Sequence, residues 1–337
     1  MPTHTMRAIR LHEHGGPEVL RYDEVPVPEP GPGEALVRVH AVGVNPPDWY
    51  LRGGMTSMPG EESTLSLPAI PGTDVSGVVE AVAADVDGLS VGDEVFGLLR
   101  FPGFRGSAYA QYVTAPASDL ARKPAGIDHV RAAGVPMAGL TAWQFLIEVG
   151  HDRPSPFQEA RHRPTALDPG TTVLVNGAAG GVGHFALQLA KWKGAHVIAV
   201  ASGAHESFLR ELGADRFIDY TKDRPEELVH DVDLVLDTVG GPHSSRFLRT
   251  LKRGGAQFPV LPGDFDEEET AKLGVTVSSA QVRSNGAQLA ELGRLLDAGT
   301  VRVAIDSTYP LADARAAHER AARGHLRGKI VLTVPQE

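Results

Sequence analysis

Between Ala35 and Val113 the apolar residues come in short runs, alternating or β-branched, broken by proline and glycine. That texture suits half-buried strands, and it predicts Ala35–Val44, Val75–Val82 and Ser107–Val113 as strands of a mixed or barrel-like sheet. Residues 25–32, rich in proline, read as an extended surface connection, because each proline removes a backbone donor and restrains its predecessor. After Pro124 the pattern changes. Helix-sized segments alternate with short apolar strands: strand Thr172–Asn176, helix Val182–Trp192, strand His196–Ala201, helix Glu206–Leu212 and strand Phe217–Tyr220. Asp233–Asp237 and Ala256–Val260 add further strands. Such alternation predicts a parallel sheet covered on both faces, a doubly wound α/β domain with right-handed crossovers. Near the end, Leu289, Leu292, Leu295 and Leu296 form one helical stripe, Leu311–Ala322 reads as another helix, and Lys329–Val334 as a last strand that either sheet could accept. Residues 151–169, with prolines at 154, 156, 164 and 169 and the basic His162 and Arg163, read as a surface loop bordering a cleft or as an inert insertion.

Length adds a second domain. The chain has 337 residues, beyond the roughly 250 to 300 at which one core stops growing. The formal charge of -10, from 32 basic and 42 acidic residues interspersed along the chain, disfavours a nucleic-acid partner. There is no cysteine, so disulfides, a thiol nucleophile and cysteine-ligated zinc are excluded. No apolar run of about 20 residues or signal-like start is present, so no membrane partner is expected and a cytoplasmic setting is.

The strongest local signal runs from Val173 to Gly183: a β-branched strand, a turn of small residues, then a helix whose Phe185, Leu189 and Trp192 can face the sheet. In this βαβ context the turn is a pyridine-dinucleotide site. Ala178 stands at the first glycine position, and Gly180, Gly181 and Val182 offer backbone to a diphosphate at the helix start. Gly183 permits close helix packing. The second strand ends in Ser202 without a carboxylate, which favours NADP(H) over NAD(H). Ser202, His205 and Tyr220 are the candidate donors to the extra phosphate. Val239 and Gly240, with Val260, lie after later strands and are expected along the cofactor path.

Several ordered motifs resemble the medium-chain dehydrogenase/reductase superfamily, in its zinc-free quinone oxidoreductase-like branch. They are Asn45-Pro46-Pro47-Asp48, Pro71 through Val79, Gly92 through Gly97, Gly139-Leu140-Thr141-Ala142-Trp143, the glycine turn, and Gly328 through Leu332. The resemblance implies a GroES-like, mostly β catalytic domain (1–127 and 283–337) plus a Rossmann nucleotide-binding domain (128–282). It also implies NADPH as hydride donor, a cleft between the domains and a homodimer. Where zinc-holding relatives carry cysteine and Gly-His-Glu, this chain has Asn45 and Gly72-Thr73-Asp74, so no zinc is expected. Relatives that prefer NADP carry Lys or Arg where this chain has Ala204 and His205.

Without a Lewis acid, reduction of a quinone or an α,β-unsaturated carbonyl is the easier assignment, since side-chain donors can meet the developing oxygen charge. By resemblance, Asn45 and Tyr50 face nicotinamide and small-molecule substrate. Tyr50 can donate a proton or hydrogen bond, and Asn45 can bind a carbonyl. Asp48 is the third catalytic candidate, or else pairs with Arg52 or orients the loop. Thr141 reads as a nicotinamide contact or a helix-start residue, and in Arg327-Gly328-Lys329 a cationic side chain, Arg327 or Lys329, reaches a cofactor phosphate or sits on the surface. The alternatives are an enoyl-thioester reductase and a non-catalytic NADPH-binding structural or sensor protein.

Overall fold

The computed structural model describes residues 5–57, 65–147 and 167–336. Most of the 151–169 segment therefore lies outside the described residues. The chain forms two large sheets and one strand pair, Thr5–Leu11 with Leu20–Pro26.

The parallel sheet is built as the alternation predicts. Its spatial order is Arg216–Asp219, His196–Ala201, Thr172–Asn176, Val232–Asp237, Leu251–Pro259 and Thr276–Val277. In chain order this is 3-2-1-4-5-6, the arrangement whose switch point binds dinucleotides beyond the carboxyl ends of the strands. Both faces are covered. Val173 and Val175 join the core beneath the helices Pro136–Leu146 and Gly181–Trp192, while Leu174 faces the opposite cluster with Ile198, Val200 and Phe247. Phe185 and Leu189 are fully buried against the sheet. Trp192 does not join them: it is 39% exposed and stacks on Trp143, ring centroids 6.0 Å apart, at the end of the helix.

In the other sheet Glu34–Gly43 is the hub. It pairs antiparallel with Asp74–Val82, Tyr112–Pro116 and Lys329–Thr333, and the last of these pairs parallel with Ile305–Pro310. The tail thus returns to the sheet formed by the first part of the chain, the point periodicity left open. Several expected elements shift; the strand expected at Ala256–Val260, for one, runs Leu251–Pro259. Residues 107–111 are not strand: Ala108 N and Tyr109 N donate to Gly72 O and Pro71 O, and Ser107 takes φ 56°, so the strand begins only at Tyr112. Val25 and Pro26 belong to the edge strand Leu20–Pro26, with Val25 buried, so the extended connection starts after them. The expected helix Leu311–Ala322 divides into a 3-10 turn, Leu311–Asp313, and a helix, Ala314–Ala322.

Hydrogen bonds hold the two parts together. Gln188, on the helix after the glycine turn, exchanges two with the Arg302 backbone at 2.8 and 3.0 Å. One turn earlier His184 Nε2 accepts from Ala304 N at 3.3 Å, and Gly328 N donates to Ala179 O at 2.8 Å. Among the described residues no helix is long and apolar enough to cross a membrane.

Candidate active site

A cleft of about 760 Å³ opens where the carboxyl ends of the parallel strands meet the mixed sheet. The glycine turn forms one wall. Gly177 holds φ 73°, a conformation that favours glycine, and a Cβ there would come within 2.5 Å of Thr238 Oγ1. At Gly183 a Cβ would stand 2.2 Å from Gly177 O, so only glycine lets the helix lie this close to the turn. Gly180 caps the helix in an extended conformation and lines the cleft with Gly181 and Val182. The first turn of such a helix leaves amides without intrahelical partners, directed at whatever approaches its N-terminus. Ala178 is different: it is fully buried, and its amide donates to Val200 O at 3.1 Å. Ala178 and Gly183 shape the turn from behind rather than touching the cleft.

Asp237 stiffens the neighbouring strand exit. Completely buried, it accepts from Asn176 Nδ2 at 2.8 Å, Val239 N at 3.0 Å and Gly240 N at 3.1 Å, and from Ser244 Oγ. Val239 and Val260 line the cleft; Gly240, at φ 67°, packs against Leu261 and serves the turn.

Ser202, His205 and Tyr220 line one end of the cleft, as the sequence leads one to expect. The fold adds His325 to that wall and brings in Arg327, whose guanidinium lies 4.2 Å from the Phe208 ring centroid. Burial lowers the His205 pKa, and the nearby positive charges of Arg327 and His325 lower it further. This end therefore has a permanent positive charge nearby, Arg327, beside two imidazoles. It also holds a carboxylate that the end of the second strand does not reveal: Asp219, from the third strand, comes so close to Gly203 that a Cβ there would stand 2.4 Å from Asp219 Oδ2. That carboxylate is already engaged, accepting from Thr221 Oγ1 at 2.7 Å and Thr221 N at 3.0 Å and pairing with Lys222 at 3.5 Å.

The opposite end is an apolar slot between Trp49, Phe101 and Phe145, with Tyr50 and Met55 beside them. Its polar groups come from the short helix Pro46–Arg52, capped by Asn45. Asn45 and Tyr50 both line the cleft, and burial raises the Tyr50 pKa, which keeps the phenol protonated at neutral pH. Thr141 lines it too, from the interior of helix Pro136–Leu146 rather than its start, with Oγ1 donating to Met137 O at 2.7 Å.

Asp48 does not reach the cleft. It is 2% exposed and points inward, where its Oδ2 accepts from Asn45 N at 2.8 Å and Tyr109 OH at 2.9 Å. Burial pushes its pKa up to about 7 against those donors. The expected Asp48–Arg52 pair does not form; Arg52 keeps Nε and Nη1 buried without a hydrogen-bond partner among the described residues. Lys329 is the larger correction. It is 4% exposed, neither on the surface nor among the basic groups around Ser202. Its Nζ donates to Val44 O at 2.8 Å and to Asn45 Oδ1, with Asp74 Oδ2 at 4.0 Å. Behind Asp48, Tyr109 OH lies 3.1 Å from His318 Nε2. Sequence reasoning missed Asp74, Tyr109 and His318, because no local pattern places them together. Among the described residues no three His, Cys, Asp or Glu side chains are grouped to hold a metal.

Comparison with known proteins agrees with this architecture. Residues 31–125 match the alcohol dehydrogenase GroES-like domain, and residues 212–332 match the zinc-binding dehydrogenase domain. The chain is 33% identical to the mouse (Mus musculus) mitochondrial NAD(P)H oxidoreductase RTN4IP1, over 98% of this chain and 89% of that protein. It is 31% identical to the human (Homo sapiens) quinone oxidoreductase, over 97% of each. The quinone oxidoreductase structure from Coxiella burnetii superimposes with a TM-score of 0.85 at 31% identity, covering 98% of this chain and 100% of that one. With a GroES-like domain, a 3-2-1-4-5-6 nucleotide sheet and relatives of this identity along its length, the chain belongs to the medium-chain dehydrogenase/reductase superfamily, among its quinone oxidoreductase-like oxidoreductases.

Proposed function

We propose that this oxidoreductase uses NADPH to reduce quinones or α,β-unsaturated carbonyl compounds without a metal. The observation that carries the reading is the composition of one cleft, which joins a dinucleotide turn to an apolar slot holding two neutral polar side chains, Asn45 and Tyr50. When bound, the nicotinamide supplies a hydride to an electron-poor carbon. The protein's part is to hold, orient and donate. Gly180, Gly181 and Val182 hold the diphosphate, with Val239 and Val260 along the cofactor and Thr141 beside the nicotinamide. Asn45 donates to a substrate carbonyl. Tyr50 gives a hydrogen bond or proton to the oxygen that gains charge, and the aromatic walls exclude water around it.

NADP(H) is the proposed cofactor because Ser202, His205 and Tyr220 share their end of the cleft with His325 and Arg327. Those basic groups supply what His205 alone lacks against an extra phosphate. Asp219 acts against this preference, weakened by its bonds to Thr221 and Lys222. We also propose a cytoplasmic homodimer joined through the edge strand Thr276–Val277; a monomer in analytical ultracentrifugation would contradict the dimer.

The test is a panel of quinones, enones and simple aldehydes monitored through NADPH consumption. Turnover of the first two classes, retained after exhaustive chelation, supports the proposal. Tight NADPH binding with no turnover of any acceptor would favour a binding protein instead.

A further inference from the structure

This chain carries five methionines and no cysteine. A hydroperoxide therefore meets no thiol, and its softest targets are the thioethers. Burial sorts them. Met6 and Met137 are buried, whereas Met55 is 43% exposed; Met1 and Met58 lie outside the described residues. Met55 also stands at the proposed acceptor end of the cleft. The slot there has a polar floor, where Lys329 donates to Asn45 Oδ1, and apolar walls, to which Met55 belongs beside Trp49 and Tyr50. Helix Pro46–Arg52 ends at Gly53, Gly54 turns the chain at φ 111°, and Met55 N donates to Tyr50 O at 2.9 Å. The backbone thus fixes Met55 next to the proposed donor while the residue stays open to solvent.

We propose that Met55 is a peroxide-modification site, and that its sulfoxide weakens the binding of apolar acceptors while sparing the cofactor end of the cleft. The thioether sulfur attacks the outer oxygen of the hydroperoxide. An S–O bond forms as the O–O bond breaks, the outer oxygen's proton passes to the departing oxygen, and water or an alcohol leaves. Sulfur is oxidised by two electrons and the peroxide is reduced by two. A sulfoxide accepts hydrogen bonds and has no hydrogen to donate, so an apolar ring can pack on it only by stripping its water. The groups proposed to meet the cofactor phosphate, Ser202, His205 and Tyr220, line the other end of the cleft. The consequence for acceptors rests on the proposed hydride-transfer reading; the modification itself rests on exposure and composition.

The test is brief treatment of the whole protein with hydrogen peroxide, quenched by catalase and followed by peptide mass spectrometry. Met55 should gain one oxygen at least ~10-fold faster than Met6 and Met137. In the treated protein the KM for naphthoquinone should rise ~3- to 10-fold, with the NADPH Kd within about twofold of its untreated value. Met55→Gln, which puts a polar group at the same place, should raise KM in the same way without peroxide. In Met55→Leu, whatever its starting KM, peroxide should no longer change it, whereas Met58→Leu should keep the wild-type response. Oxygen uptake at Met55 no faster than at the buried methionines would overturn the inference. So would a peroxide response that survives in Met55→Leu or disappears in Met58→Leu. A wild-type protein that turns over no acceptor would sink the hydride-transfer reading. The peptide masses would still decide the modification, and quenching of tryptophan fluorescence by naphthoquinone would take the place of KM.

Discussion

Removing one oxygen at Tyr50 tests the proposed donor with little disturbance of the slot. Tyr50→Phe is expected to lower kcat/KM for quinones and enones at least ~10- to 100-fold while the NADPH Kd changes less than about threefold. Burial raises the phenol's pKa above its ordinary value near 10, so Tyr50 remains a donor across neutral pH. The ratio of wild-type to variant kcat/KM should consequently stay constant between pH 6 and 9; a ratio that collapses near pH 7 would assign the proton to another group. At the other end of the cleft, Ser202→Asp puts a carboxylate where the extra phosphate is proposed to sit. Comparative titrations should show NADPH weakened ~10-fold or more relative to NADH, and Arg327→Gln should shift the preference in the same direction, less steeply at high salt. Unchanged ratios in both variants would refute the phosphate site. Asn45 and Tyr50 could be picked out in sequence because the short segment that holds them resembles the family's own. Lys329 could not: its partner on the floor is 284 positions away, and a buried lysine resembles an exposed one until a fold supplies its acceptors.

The elements around the glycine turn were legible because each carries its own periodicity, and strand, turn and helix follow one another without a gap. The same pattern assigns Gly183 to close packing and Gly180 to the approach of a ligand, and the space around the two glycines differs accordingly. Gly183 has no space for a methyl group, with Gly177 O 2.2 Å from the added atom, whereas at Gly180 the nearest atom is at an ordinary 3.4 Å. Gly183→Ala should therefore cost about 1 to 3 kcal/mol in chemical denaturation. Gly180→Ala should melt close to wild type and still bind NADPH at least ~10-fold more weakly, because its methyl group stands in the path of the diphosphate. Equal melting losses in the two variants would contradict this division. The misplaced strand at 107–113 has a comparable origin. Its apolar residues do become buried, but Ala108 and Tyr109 spend their amides on the Pro71–Gly72 loop, a pairing that alternation along the chain cannot indicate.

For the molecule as a whole, one of the bonds between its two parts should depend on pH. His184 is fully buried between Gly180 O, 2.9 Å from Nδ1, and Ala304 N, and burial pulls its pKa from about 6.5 to about 4. The folded state keeps this ring neutral, whereas the unfolded chain takes up a proton as pH falls below 6.5. Its share of the stability is therefore complete above pH 6.5 and is lost between 6.5 and 4, by up to about 3 kcal/mol. His318, lowered by burial to about 3, acts in the same direction. The buried carboxyls of Asp48 and Asp74, raised by burial to about 7 and about 6, act in the opposite direction over this range, so the His184 share is read by difference. Between pH 7.5 and 5 urea titrations should show a less unfavourable change in stability for His184→Gln than for wild type; an equal change in both would remove His184 as the cause. The return of the tail to the first sheet, which brings Lys329 under Asn45, is a property of this scale alone, since a terminal strand with a simple apolar pattern suits either sheet. The central claim, one cleft that joins NADPH to a carbonyl acceptor without metal, is tested most directly by single-turnover oxidation of bound NADPH in metal-free protein. Mixing with a quinone should oxidise one equivalent per site, rapidly in wild type and at least ~10-fold more slowly in Tyr50→Phe. Bound NADPH that survives every quinone and enone offered, or oxidation that requires an added divalent metal, would contradict it.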